Sequence, residues 1–316
     1  MQPWISLTND HAKDPSCCSK IGPRSLILNP QKRCFDAVSL LFYISCTDSI
    51  LTMNIICRNV RYEDMASKKA ISDLEYISLL CWPGREVERY RGWIIQWNDG
   101  ITWRANSVYP LEPVNDEALE EAIEYVISFY EQRDTVPAFK ITEASEPEGL
   151  DETLIDMGFE KRMKTFVQTL PVNQLSCLDP EFPVDLLKVS DKSINALFQS
   201  AGFDETVQQA RRSIIKRIEG EKIIARVMID GKIAGIGLGV VKEDWLALFS
   251  IRTLEEYRHR GVARSINCAL GIWGEENNAT RIFLQVESKN FPALELYGSL
   301  GFETMYTYWY RILEMK

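Results

Sequence analysis

Histidine is almost missing from this chain: of 316 residues, only His11 and His259 carry an imidazole. The eight cysteines include no Cys-x-x-Cys pair, so a zinc site would need an all-cysteine ligand set that the spacing does not offer. No apolar run reaches the roughly 18 residues that span a bilayer. The longest, Ala37 to Leu51, is broken by Ser39, Ser45, Thr47 and Asp48. No small-residue cleavage site follows it, and the expectation is a cytoplasmic protein with reduced thiols and no membrane partner. An excess of positive charge is lacking too. The balance of 36 Lys+Arg against 45 Asp+Glu gives a net charge of -9, which excludes general nucleic-acid binding and favours cationic substrates.

A composition of 46% hydrophobic and 26% charged residues is that of a globular chain, and its length fits two domains at roughly 150 residues each. Five cysteines (Cys17, Cys18, Cys34, Cys46, Cys57) crowd a first stretch with little periodicity, which precedes a second possible start at Met53. Residues 1–52 are read as an N-terminal extension or a mis-called start, residues 53–171 as one domain and residues 172–316 as another.

The two domains read as copies. Leu154 to Glu160 and Tyr297 to Glu303 each place Gly-Phe-Glu after an apolar-periodic helix, with the glycine where a helix ends in a left-handed residue. At nearly the same offset, Ile101 to Pro110 falls on Leu246 to Glu255. In the second copy Ile223 to Ile229, the turn dipeptide Asp230-Gly231 and Ile233 to Val241 predict an antiparallel hairpin. Trp245 to Thr253 predicts a third strand, and Ile266, Leu270 and Trp273 mark a helix face. Ile282 to Val286 is a further strand, Pro292 opens a helix that Gly301 ends, and Glu303 to Tyr310 closes the chain as strand. The order is β-β-β-α-β-α-β.

Between the third strand and its helix lies Tyr257-Arg258-His259-Arg260-Gly261-Val262-Ala263-Arg264. Such a loop turns successive backbone N–H groups and the positive end of a helix toward one spot, which suits a pyrophosphate. It is followed by Asn290-x-x-Ala293-x-x-x-Tyr297-x-x-x-Gly301-Phe302. With these residues the sequence resembles the GNAT acetyltransferase superfamily, in the tandem form that carries two modules in one chain. The likeness is strong over Ala225 to Tyr310 and weak over Ile55 to Leu170.

The resemblance implies an α+β fold of two GNAT-like modules, each a mostly antiparallel mixed sheet flanked by helices. It also implies acetyl-CoA as co-substrate, no metal, a small-molecule or peptide amine as acceptor, and a monomer or homodimer. Backbone groups of Ile251, Arg252 and Thr253 would line the pantetheine arm. His259, Arg260, Gly261, Val262, Ala263 and Arg264 would cradle the pyrophosphate, Asn290 would contact the CoA moiety and Tyr297 would be the acid. The family often has proline where this chain has Glu255, which bears on how that strand ends.

The chemistry suits these residue types. A neutral amine attacks the thioester, a strand N–H near Arg252 stabilises the oxyanion, and a phenol protonated at neutral pH supplies a proton to the departing thiolate. For the general base, Glu243, Asp244, Glu255 and Glu287 stand near strand ends, and the sequence does not choose among them. In the first copy Arg258, Gly261 and Ala263 fall on Pro113, Asp116 and Ala118, and Tyr297 falls on Leu154, so that copy keeps a fold and loses the chemistry. Trp82, Trp93, Trp97 and Trp103 are read as core, with a wall for an acceptor pocket as the functional alternative. A non-catalytic acyl-CoA-sensing or interaction module is the competing reading of the whole chain.

Overall fold

The computed structural model describes residues 67–314 apart from 116–117, 178–179 and 200–201, so the 1–52 extension lies outside the described residues. The first copy runs α1 (Lys68–Cys81), β1 (Glu86–Tyr90), β2 (Trp93–Trp97), β3 (Val108–Pro110), α2 (Leu119–Glu131), β4 (Ala138–Ile141), α3 (Leu150–Asp156) and β5 (Glu160–Pro171). The second runs β6 (Asp185–Lys188), α4 (Asp191–Gln199), α5 (Glu205–Arg217), β7 (Glu221–Ile229), β8 (Lys232–Lys242), β9 (Trp245–Thr253), α6 (Val262–Glu276), β10 (Arg281–Glu287), α7 (Phe291–Leu300) and β11 (Glu303–Ile312). From β7 onward the elements follow the predicted order. The elements β6, α4 and α5 precede them and lie outside that order.

All the described strands join one eleven-stranded sheet in the order β1-β2-β3-β4-β11-β5-β10-β9-β8-β7-β6. Apart from β6, the order is a palindrome of the two copies: β1 to β4 answer β7 to β10, and β5 answers β11. The parallel pairs, β3 with β4 and β9 with β10, occupy equivalent places. The last strand of each copy is lodged in the other. β11 pairs antiparallel with β4 and β5, and β5 pairs antiparallel with β10. Helix α1 crosses over as well, its Ile71, Leu74 and Ile77 joining the same core as Ile236, Leu238, Val240 and Phe249 of β8 and β9.

Helix α6 lies directly on β8. A Cβ at Gly235 would fall 2.5 Å from Val262 Cγ1, one at Gly237 3.0 Å from Ile266 Cγ2 and one at Gly239 2.9 Å from Leu270 Cδ2, so the alternating glycines of this strand let the helix come close. At the module junction Lys140 of β4 and Glu75 of α1 form a fully buried ion pair of 2.5 Å, with side chains 0% and 2% exposed. Tyr306 of β11 donates its hydroxyl proton to the same carboxylate at 2.7 Å. The expectation of reduced thiols is corrected: Cys177, between β5 and β6, is joined to Cys268 of α6. That pairing spans 91 residues, so local cysteine spacing carried no sign of it. Cys81 is a free thiol that burial pushes up to about 12, which makes it inert. No described helix is long and apolar enough to cross a membrane.

Candidate active site

Strands β9 and β10 pair in parallel from Trp245 with Arg281 to Leu248 with Leu284, and there the ladder stops. Beyond that point β9 continues to Thr253 along β8, while β10 continues to Glu287 along β5. The two strands therefore part, each held by its other neighbour. A register shift between Ile236 and Leu238 leaves Ser250 and Ile251 opposite Gly237, and Ser250 takes a left-handed φ of 53°. Such a bulge frees backbone polar groups from the ladder, here at the fork.

The fork opens into a cleft of about 620 Å³. Ile251, Arg252, Asn290 and Tyr297 line it together with Glu287. Asn290 caps α7 by accepting from the Ala293 N–H through its Oδ1 at 3.4 Å, which fixes the start of the helix that carries Tyr297. The Tyr297 ring is buried, edge-on to Phe302 at 5.8 Å, and desolvation pushes its phenol up to about 12.

Thr253 ends β9 just beyond the cleft lining. The Leu254 N–H donates to Ala234 O and a 3-10 turn, Glu255–Tyr257, follows, so the strand exits cleanly with Glu255 in the place of proline. The chain then turns through His259 (φ 58°) and Gly261 (φ 82°), which is the N-cap of α6. No side chain caps this helix. The N–H groups of Val262, Ala263 and Arg264 thus form the open first turn of a 15-residue helix, with its positive dipole end. A Cβ on Gly261 would land on the Glu181 carboxylate, which lies against this turn. The side chain of Arg264 points elsewhere, donating to Ser176 O at 2.9 Å and Ser299 Oγ at 2.8 Å, so it joins α6 to α7.

Of the four base candidates, Glu287 alone lines the cleft. Asp244 is at the opposite end of β9, gripped by Arg281 at 2.8 and 2.9 Å, and Glu243 occupies the same β8–β9 turn. The tryptophans divide. Trp82 and Trp103 line the cleft, whereas Trp93 and Trp97 are core residues whose indole N–H groups donate to Glu146 O and Thr135 Oγ1. Leu154, the counterpart of Tyr297, is fully buried in the first copy's core.

Parting parallel strands, a bulge at the fork and an uncapped helix behind them define an acetyltransferase of the GNAT type. The chain belongs to the family described as probable histone acetyltransferase Rv0428c, C-terminal, whose model matches residues 69–311. It is 27% identical over 248 residues to the uncharacterized N-acetyltransferase YobR of Bacillus subtilis, covering 77% of this chain and 98% of that one. Among solved structures it resembles a GCN5-related N-acetyltransferase from Kribbella flavida, with a TM-score of 0.61, 16% identity and coverage of 79% and 96%. It also resembles a tandem GNAT protein from the clavulanic acid biosynthesis pathway, with a TM-score of 0.52, 13% identity and coverage of 77% and 89%. At these identities the two structures speak for the fold.

Proposed function

We propose that the chain transfers an acetyl group from acetyl-CoA to a primary amine of a small molecule or peptide by direct attack. The observation that carries this reading is the fork beyond Leu248 and Leu284, with Tyr297 lining it. The residues present fit the co-substrate. Open N–H groups of Val262, Ala263 and Arg264 suit a diphosphate, Gly261 permits its close approach, and Asn290 stands beside the cleft. The Glu181 carboxylate must swing aside for it, which an exposed side chain does readily.

Acetyl-CoA supplies an activated thioester. The bulged backbone at Ser250 and Ile251 offers N–H groups to the carbonyl oxygen as negative charge builds on it. As the amine nitrogen bonds to the carbonyl carbon and the carbon–sulfur bond breaks, Glu287 accepts a proton from the amine, directly or through water. Tyr297 gives one to the leaving sulfur and regains it from solvent. The burial that raises the phenol also raises the proton affinity of a thiolate leaving into the same cleft, which brings donor and acceptor back toward balance. The test is release of the CoA thiol on adding amines to protein and acetyl-CoA. Tight acetyl-CoA binding with no release for any amine would instead mark a sensing module.

A further inference from the structure

The cleft is also lined by arginines that lie over aromatic rings. Arg104, from the first copy, lies over Trp82 and Phe249 at 5.9 and 5.5 Å. Arg211 of α5 lies over Phe203 at 4.4 Å, and Arg252 of β9 reaches the same ring at 5.8 Å. All three line the cleft, and Lys289 adds a fourth cation against one carboxylate, Glu287, among the described lining residues. In a chain of net charge -9, this is a local reversal of sign.

Arg104 and Arg211 are poorly compensated. Among the described residues neither Arg104 nor Arg211 forms an ion pair, and the buried Nε–H of Arg211 has no hydrogen-bond partner. Burial, then the charges of Arg104 and Arg252, push the Arg211 guanidinium down to about 10, still charged at neutral pH. Gathering like charges against apolar rings costs stability unless an anion arrives to pair with them. Guanidinium groups resting against aromatic rings keep their planar forks of donors for two-pronged bonds to an oxyanion.

We propose that the acceptor carries an oxyanion, a carboxylate or a phosphate, in addition to its amine, and that Arg104 and Arg211, with Arg252 beside them, hold that group while the amine faces the fork. The inference rests on the acetyltransferase reading above and names the substrate class of its site. It replaces the preference for cations drawn from net charge, because a cleft is governed by the charges that line it.

Two arms test it on the full chain. In the first, α- and ω-amino acids, their primary amides and the matching aminoalkyl phosphonates are compared as acceptors by CoA release. Carboxylates or phosphonates should exceed the amides in kcat/KM by on the order of 10- to 100-fold, and this ratio should collapse toward one in both Arg211→Gln and Arg104→Gln. Whichever anion leads identifies the oxyanion. In the second, the CoA-loaded protein is titrated with N-acetylated amino acids and their amides, read by the change in tryptophan fluorescence, to which Trp82 and Trp103 in the cleft contribute. The acids should bind at least 10-fold tighter, and Arg211→Gln should erase the difference. Amides equal to acids in either arm, or an unchanged ratio in both variants, overturns the proposal. Acid-selective binding without CoA release for any amine would instead overturn the catalytic reading and leave the anion site standing.

Discussion

Replacing Tyr297 by phenylalanine removes one oxygen and leaves the ring against Phe302. The hydroxyl forms no hydrogen bond within the described protein, so the change strips away no partner. The folding free energy should move by less than about 0.5 kcal/mol, and the melting midpoint by less than about 2 °C. Catalysis should respond differently. General-acid contributions run from about a hundred- to ten-thousand-fold. A phenol near 12 facing a thiol of about 8.5 would be a donor mismatched by roughly 5 kcal/mol in water, a gap that narrows only as far as the sulfur is also desolvated. The expected loss in kcat is therefore at the lower end, about 100-fold or 3 kcal/mol of barrier. The acceptor KM should change little, because the hydroxyl acts in the transition state. Since the phenol stays protonated until about pH 12, the wild-type pH–rate profile should rise as the amine loses its proton and show no falling limb below about pH 10. The assay is CoA release by the two proteins from pH 6 to 10, with melting curves on the same preparations. A kcat within about threefold of wild type, or a melting loss of more than about 5 °C, would remove Tyr297 from the mechanism and return it to the core.

Gly261→Asp puts a side chain onto the Glu181 carboxylate and a charge at the open end of α6, so acetyl-CoA binding by calorimetry should disappear, from a wild-type stoichiometry of one per chain. A second site, or intact binding in the variant, would misplace the cradle. Glu181→Gln removes the anion now resting at that helix end and should tighten acetyl-CoA binding by about two- to fivefold, the worth of a carboxylate at a helix N-terminus; weaker binding would mean that Glu181 helps to build the site. Lys140→Met leaves Glu75 buried without its cation and should cost about 3 to 5 kcal/mol, or about 6 to 20 °C in melting midpoint, with most of it restored by adding Glu75→Gln; a loss below about 2 °C would contradict the pairing. Burial holds the phenols of Tyr109, Tyr130, Tyr306 and Tyr310 well above the ordinary value of 10, so the folded chain keeps protons that the unfolded chain gives up. Their contribution is whole below about pH 10 and is lost as pH rises through the raised native values, so the melting midpoint should fall steeply above about pH 10. Tyrosinate absorbance from all twelve tyrosines appearing near pH 10 with the native fold intact would refute it.

The second copy was legible because its punctuation is local. Asp230-Gly231, Gly261, Pro292 and Gly301 each mark an element end within a few residues, and the strands between them are apolar and β-branched. Asn290 and Tyr297 share one helix, so a spacing of seven residues was enough to join them in one site. The stretch Ile101 to Pro110 misled: it looks like strand, but Trp103–Ala105 form a 3-10 turn and only Val108–Pro110 pair. The elements β6, α4 and α5 had a signal, since Asp204 caps α5 and Lys216 and Arg217 close it, yet β6 is four largely exposed residues and gave no apolar run to notice. Phe203 and Arg211 were beyond sequence reasoning of this kind. An arginine on a helix reads as solvated until the fold brings two others to within electrostatic reach of it. The crossing of β5 and β11 was equally hidden, because the pairing partners lie far apart in the chain and impose no local period on either strand.

That crossing also sets the order in which the chain can be finished. A ribosome delivers the first copy long before the ten residues of β11, Glu303–Ile312, and until they emerge β4 and β5 each present a bare edge with its N–H and C=O groups unpaired. Closing that gap means joining ends separated by well over a hundred residues, a slow, entropy-limited step that comes after the local hairpins and helices have formed. The first copy is thus a waiting partner, complete only when the second is complete. Loss of β11 would damage the module at the start of the chain as much as the one it belongs to.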